Sequence, residues 1–384
     1  MEPVSTRSGL ARGGRGLSDG LSQAPRRVDY LVVGSGLTGS VVARCLVDAG
    51  REVLVVERRS HVGGNVHDSL HDSGIRIHTY GPHYFRTSSP RIWAFAQRFG
   101  EFYPVAASVK SWVGGNLENW PVTREYLERH FGAWKPSHAG GCRNFEEAAL
   151  AKMPRQAYEL FVRGYTEKQW GVPARSLSMQ LASRFGLGRE ADPRLSSHRF
   201  QGLPLDGYHA WMEQLLAGIP RLVGYDYLKE RGAIEARRKL IFTGPIDEWF
   251  GYELGRLGYR GQRRQTVFHP DIQWVQPVVQ VNYPDPLSGP QIRSLEWKHL
   301  MPPGEYRGTL ITQEVPFTPD EPDHYEYPFP DQANQRLYRR YRQAAEQLPD
   351  IWFCGRLGEY RYYDMDQAIG RALKLAQRLL SEQP

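Results

Sequence analysis

Val28-Asp29-Tyr30-Leu31-Val32-Val33-Gly34-Ser35-Gly36-Leu37-Thr38-Gly39 decides the fold of this 384-residue chain. The first six residues form a short β-prone apolar run, the pattern of a parallel strand covered on both faces. The glycines follow in GxGxxG spacing, and a helical run through Val42, Leu46 and Ala49 comes next, stopped by Gly50. A second strand, Glu52-Val53-Leu54-Val55-Val56, ends on Glu57, an acid 21 positions after Gly36. Strand, glycine turn, helix, strand and acid together make a βαβ dinucleotide-binding unit. Gly34 permits the tight turn, Gly36 lets backbone N–H groups approach a pyrophosphate, and Gly39 allows close helix packing. The helix then presents its positive dipole end to the phosphates. Glu57 is placed to accept both hydroxyls of an adenosine ribose, which disfavours a 2′-phosphorylated cofactor.

Beyond Glu57 the chain reads Arg58-Arg59-Ser60-His61-Val62-Gly63-Gly64-Asn65. A basic pair and a Gly pair after the acid resemble the extension of FAD-binding oxidase folds. The arginines can meet phosphates, and Gly63-Gly64 lets the backbone pass close to the cofactor. A second half of that pattern closes the chain. Ile351-Trp352-Phe353-Cys354 reads as a strand ended by Gly355-Arg356, and a helix opens near Asp364-Met365-Asp366. Its apolar residues at 369, 373, 376 and 380 are amphipathic. Such a helix N-terminus can stabilise negative charge on the N1–C2=O edge of a reduced flavin.

First and last segments of one layered type imply a discontinuous nucleotide domain with two insertions. The fold expected is α/β: a discontinuous FAD-binding Rossmann-like domain with an inserted helical domain and an antiparallel β-sheet domain. Residues 28–90, 206–262 and 331–384 are assigned to the FAD-binding domain. Residues 123–205 are assigned to the helical domain, in which Tyr158, Phe161 and Tyr165 stand at helical spacing. The sheet domain takes residues 103–122 and 263–330, where Val, Gln, Ile, Trp and Tyr alternate between Pro/Gly turns.

Composition narrows the function. Hydrophobic residues at 40% and charged residues at 24% describe a globular chain, not a disordered one. The net charge of +7 is uneven. Residues 1–27 carry five Arg against Glu2 and Asp19, so +3 belongs to a Gly/Ser/Arg segment read as a disordered tail, and +4 remains. That remainder suits a small acidic ligand, and one Arg12-Gly13-Gly14-Arg15 box is too little to imply a nucleic-acid partner. Three cysteines, Cys45, Cys142 and Cys354, exclude a disulfide framework and match no zinc spacing; Cys45 and Cys354 read as buried, and no metal is expected. No apolar run approaches a membrane span, and no secretory signal opens the chain, so the expectation is a cytoplasmic protein without a membrane partner. The 21 Tyr and 10 Trp exceed core needs and suit a ligand that is apolar on its face and polar on its rim.

Four longer motifs make the reading specific. They are Tyr80-Gly81-Pro82-His83-Tyr84-Phe85, Gly164-Tyr165-Thr166-Glu167-Lys168-Gln169-Trp170-Gly171, Gly255-Arg256-Leu257-Gly258-Tyr259-Arg260, and Gly355 to Asp366. Together, from about residue 28 to 380, they resemble the bacterial UDP-galactopyranose mutases. The resemblance implies an FAD enzyme with no net redox change, active when the flavin is reduced. The flavin N5 attacks the anomeric carbon, UDP leaves and returns, and the ring recloses through a different hydroxyl, so that pyranose becomes furanose. The cofactor is then the nucleophile, and the protein holds the diphosphate, orients the sugar and excludes water.

The resemblance also implies roles. Phe161, Tyr165, Thr166 and Trp170 form the wall that receives the uridine. Arg184, on a mobile loop, and Arg293 hold the diphosphate. Tyr327 and Tyr362 bind phosphate through their hydroxyls, and Asn282 adds a polar contact. His83 stands beside the flavin, with Asp364, Met365 and Asp366 at its pyrimidine end. Cofactor contacts extend to Leu37, Thr38, Gly64, Asn65, Gly81, Val223, Arg356, Tyr363 and Ala368. A homodimer is the family expectation.

Three places depart from the family pattern: Arg86 where a second His is common, Leu195-Ser196 where aromatics are expected, and Trp297 where His or Phe is usual. Arg86 has the reach and donors to bond an acetamido carbonyl or a carboxylate on the sugar, so the preferred sugar nucleotide need not be UDP-galactose. Two competing readings are an amine-oxidase-type flavin oxidoreductase, which shares only the nucleotide-binding region, and a non-catalytic sugar-nucleotide binder.

Overall fold

The structure, a computed structural model, describes residues 27–137, 140–184, 186–188, 192 and 194–382, without the Arg184 side chain. The expected tail lies outside the described residues except for Arg27, which opens the first strand.

Strands Arg27–Val33, Val53–Glu57, Arg221–Val223, Glu235–Phe242 and Ile351–Phe353 build a five-stranded parallel sheet. The first strand lies at its centre, between Val53–Glu57 and Glu235–Phe242. Every residue of Val53–Glu57 is buried, as the unbroken apolar run demands of a strand covered on both faces. Helix Leu37–Asp48 covers one face together with the terminal helix Met365–Ser381. The terminal helix buries Ile369, Ala372, Leu375, Ala376 and Leu379, while Leu373 and Leu380 only flank that seam. Its buried face therefore keeps Ile369 and Ala376 of the expected stripe but replaces Leu373 and Leu380 by the residues one position earlier, Ala372 and Leu379, with Leu375 added. Cys354 is buried, but Cys45 is only partly so, because it sits on the rim of its helix.

A seven-stranded, mostly antiparallel sheet forms the second layer. It is built from Val109–Val113, Asn116–Trp120, Tyr259–His269, Gln280–Asn282, Arg293–Glu296, Thr309–Phe317 and Tyr327–Pro328. Tyr259 already belongs to it, four residues before the expected boundary at 263. A smaller three-stranded sheet joins Phe85–Thr87, Phe102–Pro104 and Phe200–Pro204, stitching the ends of the helical insertion to the nucleotide domain.

The helical insertion contains one irregularity that matters for the site. Helix Arg155–Tyr158 runs into a π-helical turn, Glu159–Arg163, and then into helix Gly164–Trp170. Gly164 has no room for a side chain, since a Cβ there would lie 2.1 Å from the Pro284 carbonyl oxygen. Sheet residues hold the far end of that helix. Arg260 donates to the Gln169 carbonyl at 2.7 Å, Gln262 to the Gln169 side chain at 2.7 Å, and Lys168 donates back to the Tyr283 carbonyl at 2.9 Å. A cation at helix C-terminal carbonyls satisfies groups that the helix itself cannot.

Candidate active site

The first cavity, about 1150 Å³, follows the carboxyl ends of the parallel strands, where open α/β sheets bind ligands. Gly34, Gly36, Leu37, Thr38, Gly39, Glu57, Arg58, Arg59, Gly64 and Asn65 line one end. His83, Arg356, Tyr363, Met365 and Ala368 line the other. The glycines divide their labour. Gly34 has φ +102° and a Cβ would lie 2.0 Å from Thr243 Oγ1, while a Cβ on Gly39 would lie 2.1 Å from the Gly34 carbonyl oxygen. Both glycines serve the protein's own packing. Gly36 differs: its nearest protein atom would be 3.9 Å from a Cβ, so no protein group fills the space beside it. Gly36 also caps helix Leu37–Asp48 with no side-chain hydrogen bond, leaving first-turn N–H groups for an anion.

Glu57 is fixed before any ligand arrives. Its Oε2 accepts from the Ser35 N–H at 2.8 Å and the Ser35 hydroxyl at 2.9 Å, and its Oε1 accepts from the Arg59 N–H at 2.9 Å. A carboxylate has acceptor capacity left beyond three bonds. The basic pair is less free than the motif suggests. Arg58 grips Glu248 with two bonds, at 2.9 and 2.5 Å, and Arg59 donates to Asn65 at 2.9 Å and lies over the Tyr80 ring. Val223 pairs with Glu57 in the sheet but is 45% exposed, and the wall beside it is made by Tyr225, Asp226, Tyr227 and Leu228. Asp364 and Asp366 lie at the start of the terminal helix and not in the cavity wall; Asp364 forms a capping box with Gln367.

His83 is held from three sides. Its N–H donates to His78 Nδ1 at 3.0 Å, its carbonyl accepts from the Tyr208 hydroxyl at 2.9 Å, and its Nδ1 meets the Gly81 carbonyl at 2.7 Å. Burial, followed by the Arg356 charge, brings its pKa down to about 3, so the ring is neutral.

The second cavity, about 970 Å³, is an aromatic cleft between the helical insertion and the seven-stranded sheet. Phe161, Tyr165, Thr166, Trp170, Asn282, Arg293 and Tyr327, to which the family resemblance assigns substrate roles, all line it. The π turn and the helix after it set the relation between Phe161 and the pair Tyr165–Thr166, and π turns are frequent at functional sites. Trp120 and Gln280 line the cleft too and lie in none of the quoted motifs, and Gln169, inside one of them, lines it without an assigned role. Trp120 stacks on Phe161 with centroids 6.4 Å apart. Tyr362 lies outside this wall but stacks on Tyr327 at 6.1 Å and takes Arg356 over its ring at 4.8 Å. The Tyr327 pKa is pushed up to about 12, chiefly by burial, so its phenol remains a donor.

The departures from the pattern fall in different places. Leu195 lines the cleft, whereas Ser196 is bonded to His198 at 2.5 Å. Trp297 is wholly buried, donates to Thr312 at 2.6 Å and packs on His78, so it belongs to the core. Arg86 approaches Asp364 at 4.0 Å. Gly81 lies beneath the cleft floor, where a Cβ would be 2.7 Å from Glu314. The backbone of Arg184 closes a 3₁₀ turn, Met179–Arg184, and its side chain lies outside the described residues. Among the described residues no cluster of His, Cys, Asp or Glu is suited to a metal ion, and no helix is long and apolar enough to cross a membrane.

Comparison with known proteins bears on the family and the fold. A family model described as UDP-galactopyranose mutase matches residues 160–362, and one described as an NAD(P)-binding Rossmann-like domain matches residues 32–99. The Klebsiella pneumoniae protein named "Probable UDP-galactopyranose mutase" is 31% identical over 370 residues, covering 92% of this chain and 95% of its own. The Escherichia coli "dTDP-fucopyranose mutase" is 30% identical over 367 residues, covering 90% of this chain and 97% of its own. A solved structure of reduced UDP-galactopyranose mutase superposes with a TM-score of 0.70 at 15% identity, over 93% of this chain and 94% of that one. By a family match over more than half its length and by relatives alike from end to end, the chain belongs to the UDP-galactopyranose mutase family.

Proposed function

We propose that the protein binds FAD and interconverts the pyranose and furanose forms of a nucleoside-diphosphate sugar, UDP-galactose or a close analogue. The observation that carries this reading is the thin partition between the two cavities. Arg356 of the dinucleotide cavity lies over the ring of Tyr327 of the aromatic cleft, 5.9 Å from its centroid. A cofactor in one cavity and a sugar nucleotide in the other therefore meet at this wall. The open space over Gly36, the fixed Glu57 and a second helix N-terminus at Met365 suit a flavin dinucleotide in extended form. Reduced FAD, when bound, supplies the nucleophile for the anomeric carbon, so no side-chain nucleophile is required.

The chain's own residues do the rest. Phe161, Tyr165 and Trp170 flank the base, and Thr166 and Asn282 add polar contacts. Arg293 and Arg184 carry the diphosphate charge as UDP departs and keep it for return. Tyr327 and Tyr362 donate hydrogen bonds without adding charge. His83, with Nδ1–H committed to Gly81, offers Nε2 as an acceptor toward the cavity. The oxidase reading leaves Arg293 and the cleft without a task.

The test is direct. Dithionite-reduced protein is incubated with UDP-galactose and, in parallel, dTDP-fucose, and furanose product is sought; peroxide release from an amine, or binding without turnover, sinks the proposal. Arg86 bears on the choice of sugar. Arg86→His is expected to shift the preference between UDP-galactose and its 2-acetamido analogue, and equal turnover by variant and parent on both removes Arg86 from recognition.

A further inference from the structure

A buried chain of charges runs beneath the floor of the cleft. Arg264 and Arg293 stand directly opposite Glu314 on the two strands that flank it. Cross-strand neighbours of this kind touch through their side chains. Glu314, with no exposed side-chain surface, divides its two oxygens: Oε1 accepts from Arg264 Nε at 2.8 Å, and Oε2 accepts from Arg293 Nε at 2.5 Å. Arg264 turns its other face to Glu326 with bonds of 2.7 and 2.8 Å. The Glu326 carbonyl in turn accepts from Arg356 at 3.0 Å. Arg264 and Arg293 meet the two carboxylates, while Arg356 reaches only a backbone carbonyl, so the positive charge in excess of the two carboxylates is that of Arg356.

The division at Glu314 has a directional consequence. Arg293 spends Nε on the carboxylate, so its two terminal nitrogens, the fork that grips phosphate oxygens, take no part in that bond, and Arg293 lines the cleft. A flexible arginine side chain would otherwise lose rotamer freedom when it binds. The seat of Glu314 is fixed from below by Gly81, whose missing side chain makes room for Oε1. Burial pushes the Glu314 carboxyl up, but the charges of Arg293 and Arg264 outweigh it and hold it below the usual range.

We propose that Glu314 is the positioning residue of this site: it aims the terminal nitrogens of Arg293 at the diphosphate before the sugar nucleotide arrives. The proposal rests on the reading of Arg293 as a diphosphate ligand, and the experiment separates the two. UDP affinity is measured by titration calorimetry on FAD-loaded protein in a double-mutant cycle of Glu314→Gln and Arg293→Met. Glu314→Gln is expected to weaken UDP binding about tenfold in the parent and less than about twofold in Arg293→Met, because it acts only through Arg293. Glu314→Asp, which keeps the charge, is expected to lose less than the glutamine variant; it carries the same cycle if Glu314→Gln does not load FAD. An equal loss in both backgrounds, or none in the parent, overturns the proposal. Unchanged UDP binding in Arg293→Met overturns the diphosphate reading beneath it, and the proposal with it.

Discussion

The Nδ1–H of His83 donates to the carbonyl oxygen of Gly81 at 2.7 Å, because a carbonyl can only accept. The bond fixes the tautomer and leaves Nε2 unprotonated. The ring's pKa of about 3 lies well below the ordinary histidine value, so the neutral form persists throughout the neutral range. The kcat–pH profile is therefore expected to show no inflection from His83 between pH 5 and 8. His83→Ala is expected to lower kcat about a hundredfold while FAD stays bound. A profile that keeps every inflection of the parent supports this, and one that loses an inflection near pH 6.5 refutes it.

Gly36 and Gly34 are expected to fail differently. Gly36→Ala meets no protein atom closer than 3.9 Å, so the variant should fold and melt like the parent but bind FAD at least about tenfold more weakly. Gly34→Ala collides with Thr243 and strains a left-handed backbone, and should lower the melting temperature of the apoprotein itself. Fluorescence titration with FAD, alongside thermal melts, distinguishes them. Equal melting temperatures for the two apoproteins would falsify the assignment.

Tyr327→Phe removes one phenol donor and keeps the ring that stacks on Tyr362. Loss of a hydrogen bond to a charged group is worth about 1.5–3 kcal/mol, so UDP affinity should drop roughly ten- to a hundredfold. Calorimetry on oxidised holoenzyme measures it, and an unchanged Kd excludes phosphate contact by this hydroxyl.

Asp247 supplies a prediction remote from the chemistry. It is wholly buried; Oδ2 accepts from the Leu257 N–H at 2.9 Å, and Oδ1 has no hydrogen-bond partner among the described residues. Burial raises its pKa to about 6. A raised carboxyl means that the folded state prefers the proton, so stability is lost as pH rises from about 4 through 6. Asp247→Asn keeps the acceptor for Leu257 and removes the charge. It should melt a few degrees above the parent at pH 8, with the gap closing at pH 5, and a lower melting temperature at pH 8 would count against it.

The nucleotide half of the fold is plain in the sequence because its signals are local. A buried parallel strand needs a run such as Val53–Val56, and the turn needs Gly34 where φ reaches +102°. The cleft residues Tyr165, Thr166 and Trp170 are legible as members of a motif, and Phe161, Asn282, Arg293 and Tyr327 only through the family resemblance. What stays hidden is set by partners distant in the chain. Nothing near Arg58 announces that Glu248 will take its guanidinium, and nothing near Trp297 announces a place in the core. Trp120 reaches the cleft from the edge strand of the seven-stranded sheet. Glu314 reads as one more polar residue on a strand until the register sets it between two arginines. The π turn is equally silent, since apolar spacing in a five-residue segment does not separate it from an α-helix.

That turn also determines how the aromatic wall of the cleft tolerates change in chain length. Helix Gly164–Trp170 is moored at its far end to Arg260 and Gln262 and pressed against Pro284 at its start. It cannot rotate to absorb an altered upstream register. Deleting Val162 or Arg163 would restore α-helical winding only by carrying Phe161 roughly 100° around the axis relative to Tyr165. The segment thus behaves as a spacer of fixed count, and drift in this lineage should favour substitutions there over insertions or deletions.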